Sequence, residues 1–135
     1  MTARLDAIGI VVADMARSLA LYRKLRLDLP AEVDGEDHAE AALPGDLRLM
    51  WDTEESVRSF DPSWAAPTGS PRVGLAFLCA DAAEVDRVYA ELTAIGAAGV
   101  REPWDAFWGQ RYATVGDPDG NAVDLFAWLP GREAG

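Results

Sequence analysis

"AIGIVVADMARSLALYRKL", residues 7–25, and "GLAFLCADAAEVDRVYAEL", residues 74–92, are two versions of one pattern. Laid over each other they superpose Asp14 on Asp81, Leu19 on Asp86, Tyr22 on Tyr89 and Leu25 on Leu92, an offset of 67 residues. Each is an apolar run, then an aspartate, then a helical pattern. Asp14 and Asp81 suit helix N-caps, where a carboxylate accepts from otherwise unpaired backbone N–H groups. Glu84, three residues beyond Asp81, completes a variant capping box. Met15, Leu19, Tyr22 and Leu25 recur at helical spacing, as do Val85, Val88 (or Tyr89), Leu92 and Ile95. Gly96 then stands where a helix favours a C-terminal glycine. The repeat predicts two strand–helix units.

Outward from the repeat, further strands are expected at 31–33, 38–43 and 47–53, and again at 100–102, 111–115 and 122–128. "LPGD" (43–46) and "DPDGN" (117–121) carry the turn residues of hairpins. Each half therefore reads as β-α-β-β-β. The predicted fold class is α+β, with two paired modules forming a curved mixed sheet around a cavity. The chain reads as a single domain, 1–135, with a first module at 4–53, a linker loop at 54–71 and a second module at 72–129. The linker contains three prolines and a glycine, and loops of that length inside a domain are often functional lids.

Composition narrows the function classes. Against 12 Lys and Arg stand 23 Asp and Glu, a net charge of −11, which opposes binding to a nucleic-acid backbone and favours cationic small molecules. No apolar run approaches the roughly 20 residues needed to span a bilayer. Asp6 interrupts the N-terminal apolar region and no secretory pattern is evident. The one cysteine, Cys79, allows no internal disulfide, so a cytoplasmic location is expected. Among the five tryptophans, Trp51 reads as core, whereas Trp64, Trp104 and Trp108 fall in segments that read as loops.

Side chains along a strand alternate between its faces. Ile8, Ile10 and Val12, like Val73, Leu75, Phe77 and Cys79, form the bulky sets that should pack on the helices. The opposite set contains Ala7, Gly9, Gly74 and Ala76, which are small and leave volume for a cavity. The same alternation places Met50 on that face, and Asp124 and Phe126 with it.

At these residues the chain resembles a known family. The paired β-α-β-β-β halves, "VVADMARSLALYRKL" after the first strand and "FWGQRYATVGDPDGNAVDLF" near the end look like the vicinal oxygen chelate superfamily. That group includes glyoxalase I, extradiol dioxygenases and the bleomycin-resistance proteins. The resemblance implies four metal-ligand positions in the metal-dependent members. Carried onto this chain they fall on Ala7, near Met50, on Gly74 and on Asp124, with Asp52 the alternative to Met50. At most two of these positions could ligate, so no metal and no other cofactor are expected. The antibiotic-binding members imply a homodimer that sequesters a natural product.

The functional expectation is a metal-independent binder of a planar or basic natural product, of the antibiotic-resistance or self-resistance type. Its ligand-binding residues would be His38, Met50, Trp64, Trp104, Phe107, Trp108, Asp124 and Phe126, with Ala7, Gly9, Gly74 and Ala76 lining the cavity and no catalytic residue assigned. Aromatic rings in "PWDAFWG" (103–109) offer flat surfaces for stacking. Trp108 packed into the last hairpin, Trp128 as a dimer contact and a ligand-free structural dimer are the blander alternatives. The enzymatic alternative is a glyoxalase-like lyase or isomerase, or a dioxygenase-related enzyme, with Asp124 as a general base.

Overall fold

The computed structural model describes residues 2–131, and these divide into two compact units, 2–68 and 69–131. In the first unit, β1 (Ala7–Val12) leads into helix α1 (Met15–Lys24), then β2 (His38–Leu43), β3 (Leu47–Thr53) and helix α2 (Glu54–Phe60). The strands form a three-stranded sheet in the order β1-β3-β2, with β1 and β3 parallel and β2 and β3 antiparallel. In the second unit, β4 (Gly74–Leu78) is followed by helix α3 (Ala82–Ala94), β5 (Ala98–Asp105), β6 (Gln110–Gly116) and β7 (Ala122–Trp128). Its sheet has four strands in the order β4-β7-β6-β5. The class is α+β, carried by two mixed sheets, and only the second unit has the full β-α-β-β-β order.

Both repeat helices start as their sequence dictates. Asp14 accepts from the Arg17 N–H and Asp81 from the Glu84 N–H. Glu84 reaches back to the Ala80 N–H at 2.9 Å, so the capping box closes one residue earlier than in its usual form. Leu19, Tyr22, Val85 and Leu92 are fully buried. Gly96, at φ +106°, makes the left-handed turn after α3 that a side chain would resist. Trp51 is completely buried and meets Tyr22 edge-on at 5.3 Å, which confirms it as core.

Three local expectations are corrected. Residues 31–33 are not a strand but the start of a 3-10 turn, Ala31–Gly35. Arg23 gathers the carbonyls of Leu29 and Pro30 and the Asp34 carboxylate around one guanidinium, which curls the segment instead of extending it. The expected linker 54–71 opens with helix α2, N-capped by the Thr53 hydroxyl, and the three prolines all lie beyond it. Finally β5 runs on to Asp105, so Trp104 belongs to a strand rather than a loop. Pro103 is accommodated there because β5 is an edge strand, where a missing N–H leaves no neighbour unpaired.

Among the described residues no helix is long and apolar enough to cross a membrane. Removing the α3 cap by Asp81→Ala should cost about 1 kcal/mol, and Leu92→Ala about 2–5 kcal/mol because it opens a cavity. Urea unfolding of the two variants checks both. Equal losses would show that α3 does not pack through Leu92.

Candidate functional site

Strand alternation builds the open face of the second sheet. Val123, Leu125 and Ala127 of β7 are buried on the helix side, while Asp124, Phe126 and Trp128 are half-buried on the other. Antiparallel pairing sets Thr114 opposite Asp124 and Tyr112 opposite Phe126, and β5 brings Trp104 opposite Tyr112. Asp124 is therefore flanked by hydroxyls. Tyr112 Oη donates to its Oδ2 at 2.7 Å and Thr114 Oγ1 donates to its Oδ1 at 2.7 Å. Burial, reinforced by that carboxylate, pushes the Tyr112 phenol up to about 12, so it remains a donor at neutral pH.

The rings form a continuous band. Trp108 meets Phe107 at 4.9 Å, Trp104 at 5.5 Å and Tyr112 at 5.3 Å between centroids. Tyr112 stacks toward Phe126 at 6.5 Å, and Phe126 meets Trp128 at 6.4 Å. Trp108 is tied into the hairpin through Nε1–H to Gln110 Oε1, yet stays 42 % exposed, and Phe107 is 84 % exposed. Trp108 is thus tied into the hairpin and still partly exposed. Arg111 points to the helix side, where it pairs with Asp86 of α3 and with Asp105. Cys79 is buried and its thiol is pushed up chiefly by desolvation, as fits an inert core residue.

The first sheet's open face has a different character. His38, Glu40, Arg48, Met50 and Asp52 share it with Gly9, whose nearest neighbour across the face is the Met50 methyl. A charge ladder runs over it. Arg48 bonds Asp6 and Glu40, Glu40 accepts from His38 Nε2 at 2.7 Å, and Asp52 lies 2.6 Å from His38 Nδ1. Carboxylates only accept, so satisfying both requires imidazolium. Hydrogen bonds to Glu40 first, then Asp52, accordingly raise the His38 pKa. Trp64 stands apart, with Arg58 over its ring at 5.1 Å.

The pairing shows which of the implied positions correspond between the two sheets. Gly74 pairs with Ala122, two residues before Asp124, and Ala7 pairs with Arg48, two residues before Met50. Met50 is therefore the internal counterpart of Asp124, and Asp52 is not. A Cβ placed on Gly74 would stand 3.5 Å from Asp124 Oδ2, so these two positions do converge. The donor set nevertheless does not fit a metal of the family type. Alanine and glycine offer no side-chain donor and Met50 only a soft thioether, so Asp124 would be the single oxygen ligand of the four positions. Among the described residues, no group of three or more His, Cys, Asp or Glu could hold a metal ion.

Tyr112 and Thr114 were not among the expected site residues. The signal existed: the turn at 117–121 fixes the β6–β7 register, which places the even-numbered residues of "RYATV" opposite Asp124 and Phe126.

A family model for the Glyoxalase/Bleomycin resistance protein/Dioxygenase superfamily matches residues 4–125, and the chain belongs to that superfamily. Solved structures share the fold. A family member from Nocardioides, described as a glyoxalase/bleomycin resistance protein/dioxygenase, is 25% identical, with TM-score 0.73 over 100% of this chain and 89% of that one. A family enzyme from Burkholderia phytofirmans PsJN is 17% identical, with TM-score 0.78 over 94% of this chain and 100% of that one. A glyoxalase-related enzyme from Fulvimarina pelagi is 17% identical, with TM-score 0.77 over 93% of this chain and 88% of that one. No curated protein matches the chain.

Two titrations check these electrostatics. His38 has a folded pKa raised above the ordinary 6.5, so its clasp contributes stability fully below about pH 6.5 and loses it as pH rises through the folded value. Since the chain has one histidine, NMR follows it directly, and His38→Ala should flatten the pH dependence of stability in that window. A His38 titration below 6.5 contradicts the clasp. For the second face, Asp124→Asn should lower the Tyr112 pKa only part of the way toward 10, because burial remains. Tyrosinate absorbance, with Tyr112→Phe as reference, measures the change.

Proposed function

We propose that the chain binds a planar, cationic small molecule on the open face of its second sheet, without a metal and without turnover. The observation supporting this is Asp124. Its carboxylate is held by two hydroxyls in the midst of an aromatic band and beside a glycine. A fixed carboxylate can pair with an ammonium or amidinium, while Trp104, Phe107, Trp108 and Phe126 stack on the planar part of the same ligand. A net charge of −11 adds long-range attraction for cations. In its specific form the ligand is a natural product such as an antibiotic, captured stoichiometrically by a homodimer in a resistance or self-resistance role. The superfamily also contains enzymes, so the site's chemistry rather than the fold carries this choice.

A thermal-shift screen of planar cations and neutral isosteres, with and without a chelator, tests it. Stabilisation by the cations should be unaffected by chelation. Asp124→Asn should weaken the best cation about tenfold or more, and Trp104→Ala with Trp108→Ala should weaken both series. Metal-dependent turnover of a thiol adduct or a catechol would establish the lyase, isomerase or dioxygenase alternative instead.

A further inference from the structure

Between helix α3 and edge strand β5 lies a groove of about 440 Å³, lined by Tyr89 and by residues 99–104. That volume is within the range of small-molecule sites. Its chemistry follows from an irregular strand. The β5–β6 register shifts between Gly99 and Arg101 and again between Arg101 and Trp104. A regular strand sends neighbouring side chains to opposite faces, whereas bulges re-aim them. Arg101, Glu102 and Trp104 consequently border the same groove. Gly99 has no Cβ to meet the Tyr89 hydroxyl, and this lets the phenol lie against the strand.

Two opposite charges line this groove. Among the described residues of this unit, ion pairs join Arg87 to Glu84 and Glu91, and Arg111 to Asp86 and Asp105; neither Arg101 nor Glu102 takes part. The Arg101 guanidinium instead lies 4.1 Å from the centroid of the Trp104 ring. A guanidinium stacks by its face and donates by its edge, so this contact leaves its N–H groups available for a carboxylate. Glu102, next in sequence, supplies an acceptor for an ammonium.

We propose that this groove is a second binding site, for a small zwitterion of the α-amino-acid type with an apolar side chain. The ligand's carboxylate pairs with Arg101, its ammonium with Glu102, and its side chain rests on Trp104 and Tyr89. A simple anion would face Glu102 uncompensated, and a simple cation would face Arg101. Arg101 pairs with Thr114 and Trp104 with Tyr112, the two residues whose hydroxyls bond Asp124, so this groove adjoins the Asp124 face and shares Trp104 with it.

The test is an NMR titration of the full chain with L-phenylalanine, run beside phenylpropionate, which lacks the ammonium, and phenethylamine, which lacks the carboxylate. In the Asp124→Asn variant, which removes the neighbouring carboxylate that would draw a cation, L-phenylalanine should still give saturable shifts at residues 99–104, and the two analogues should bind there several-fold more weakly. Arg101→Gln and Glu102→Gln, both at exposed positions, should each weaken phenylalanine about tenfold, the size of one charge-assisted hydrogen bond. Absence of saturable shifts, equal binding of all three compounds, or indifference to both substitutions would overturn the proposal.

Discussion

The second unit depends on the turn that joins its last two strands. Asp117 is buried, and its carboxylate accepts from the backbone N–H groups of Asp119 and Asn121 and from the Asn121 amide. Gly120, at φ +84°, completes the reversal. This clamp fixes which residue of β6 faces which residue of β7. A slip of one residue would turn Asp124 under α3 and expose Val123 and Leu125, because strand side chains have a period of two. Burying a lone carboxylate beneath a helix is costly, so register and hydrophobic pattern enforce the same pairing.

Once that register holds, the two units acquire open faces of different kinds from related strand–helix patterns. At equivalent register positions one unit carries Met50 and the other Asp124, and at the matching parallel-strand positions stand Ala7 and Gly74. The residues that deny a metal its ligands are therefore also those that leave the faces uncrowded. On the first sheet the charges are spent on one another, in the ladder from Asp6 to Asp52. On the second, the carboxylate is oriented by neutral hydroxyls, which keep its charge uncompensated and make it the better partner for a cation.

Much of the fold was legible because it is written in local chemistry. Aspartate caps, helical spacing and the glycine after α3 each act within a few residues, and so does the "DPDGN" turn. Misreadings came where distant groups decided. Arg23 reaches 11 residues ahead to Asp34 and curls a segment that reads as extended. Thr53 caps a helix within a stretch whose overall composition, dominated by later prolines, reads as loop. Trp104 reads as a loop residue from the sequence, since nothing local to "PWD" reveals the partner strand that extends it.

By itself, the sequence determined the two strand–helix repeats, the face on which Asp124 lies and the poverty of metal donors at the four implied positions. These depend on residue identity and on the period of each element. Only the tertiary structure decided what surrounds Asp124, what His38 clasps and that Arg101 lies over Trp104 at β5. Those outcomes depend on cross-strand register and on bulges. Both are set by hydrogen bonds between residues far apart in the chain, and no local pattern encodes them.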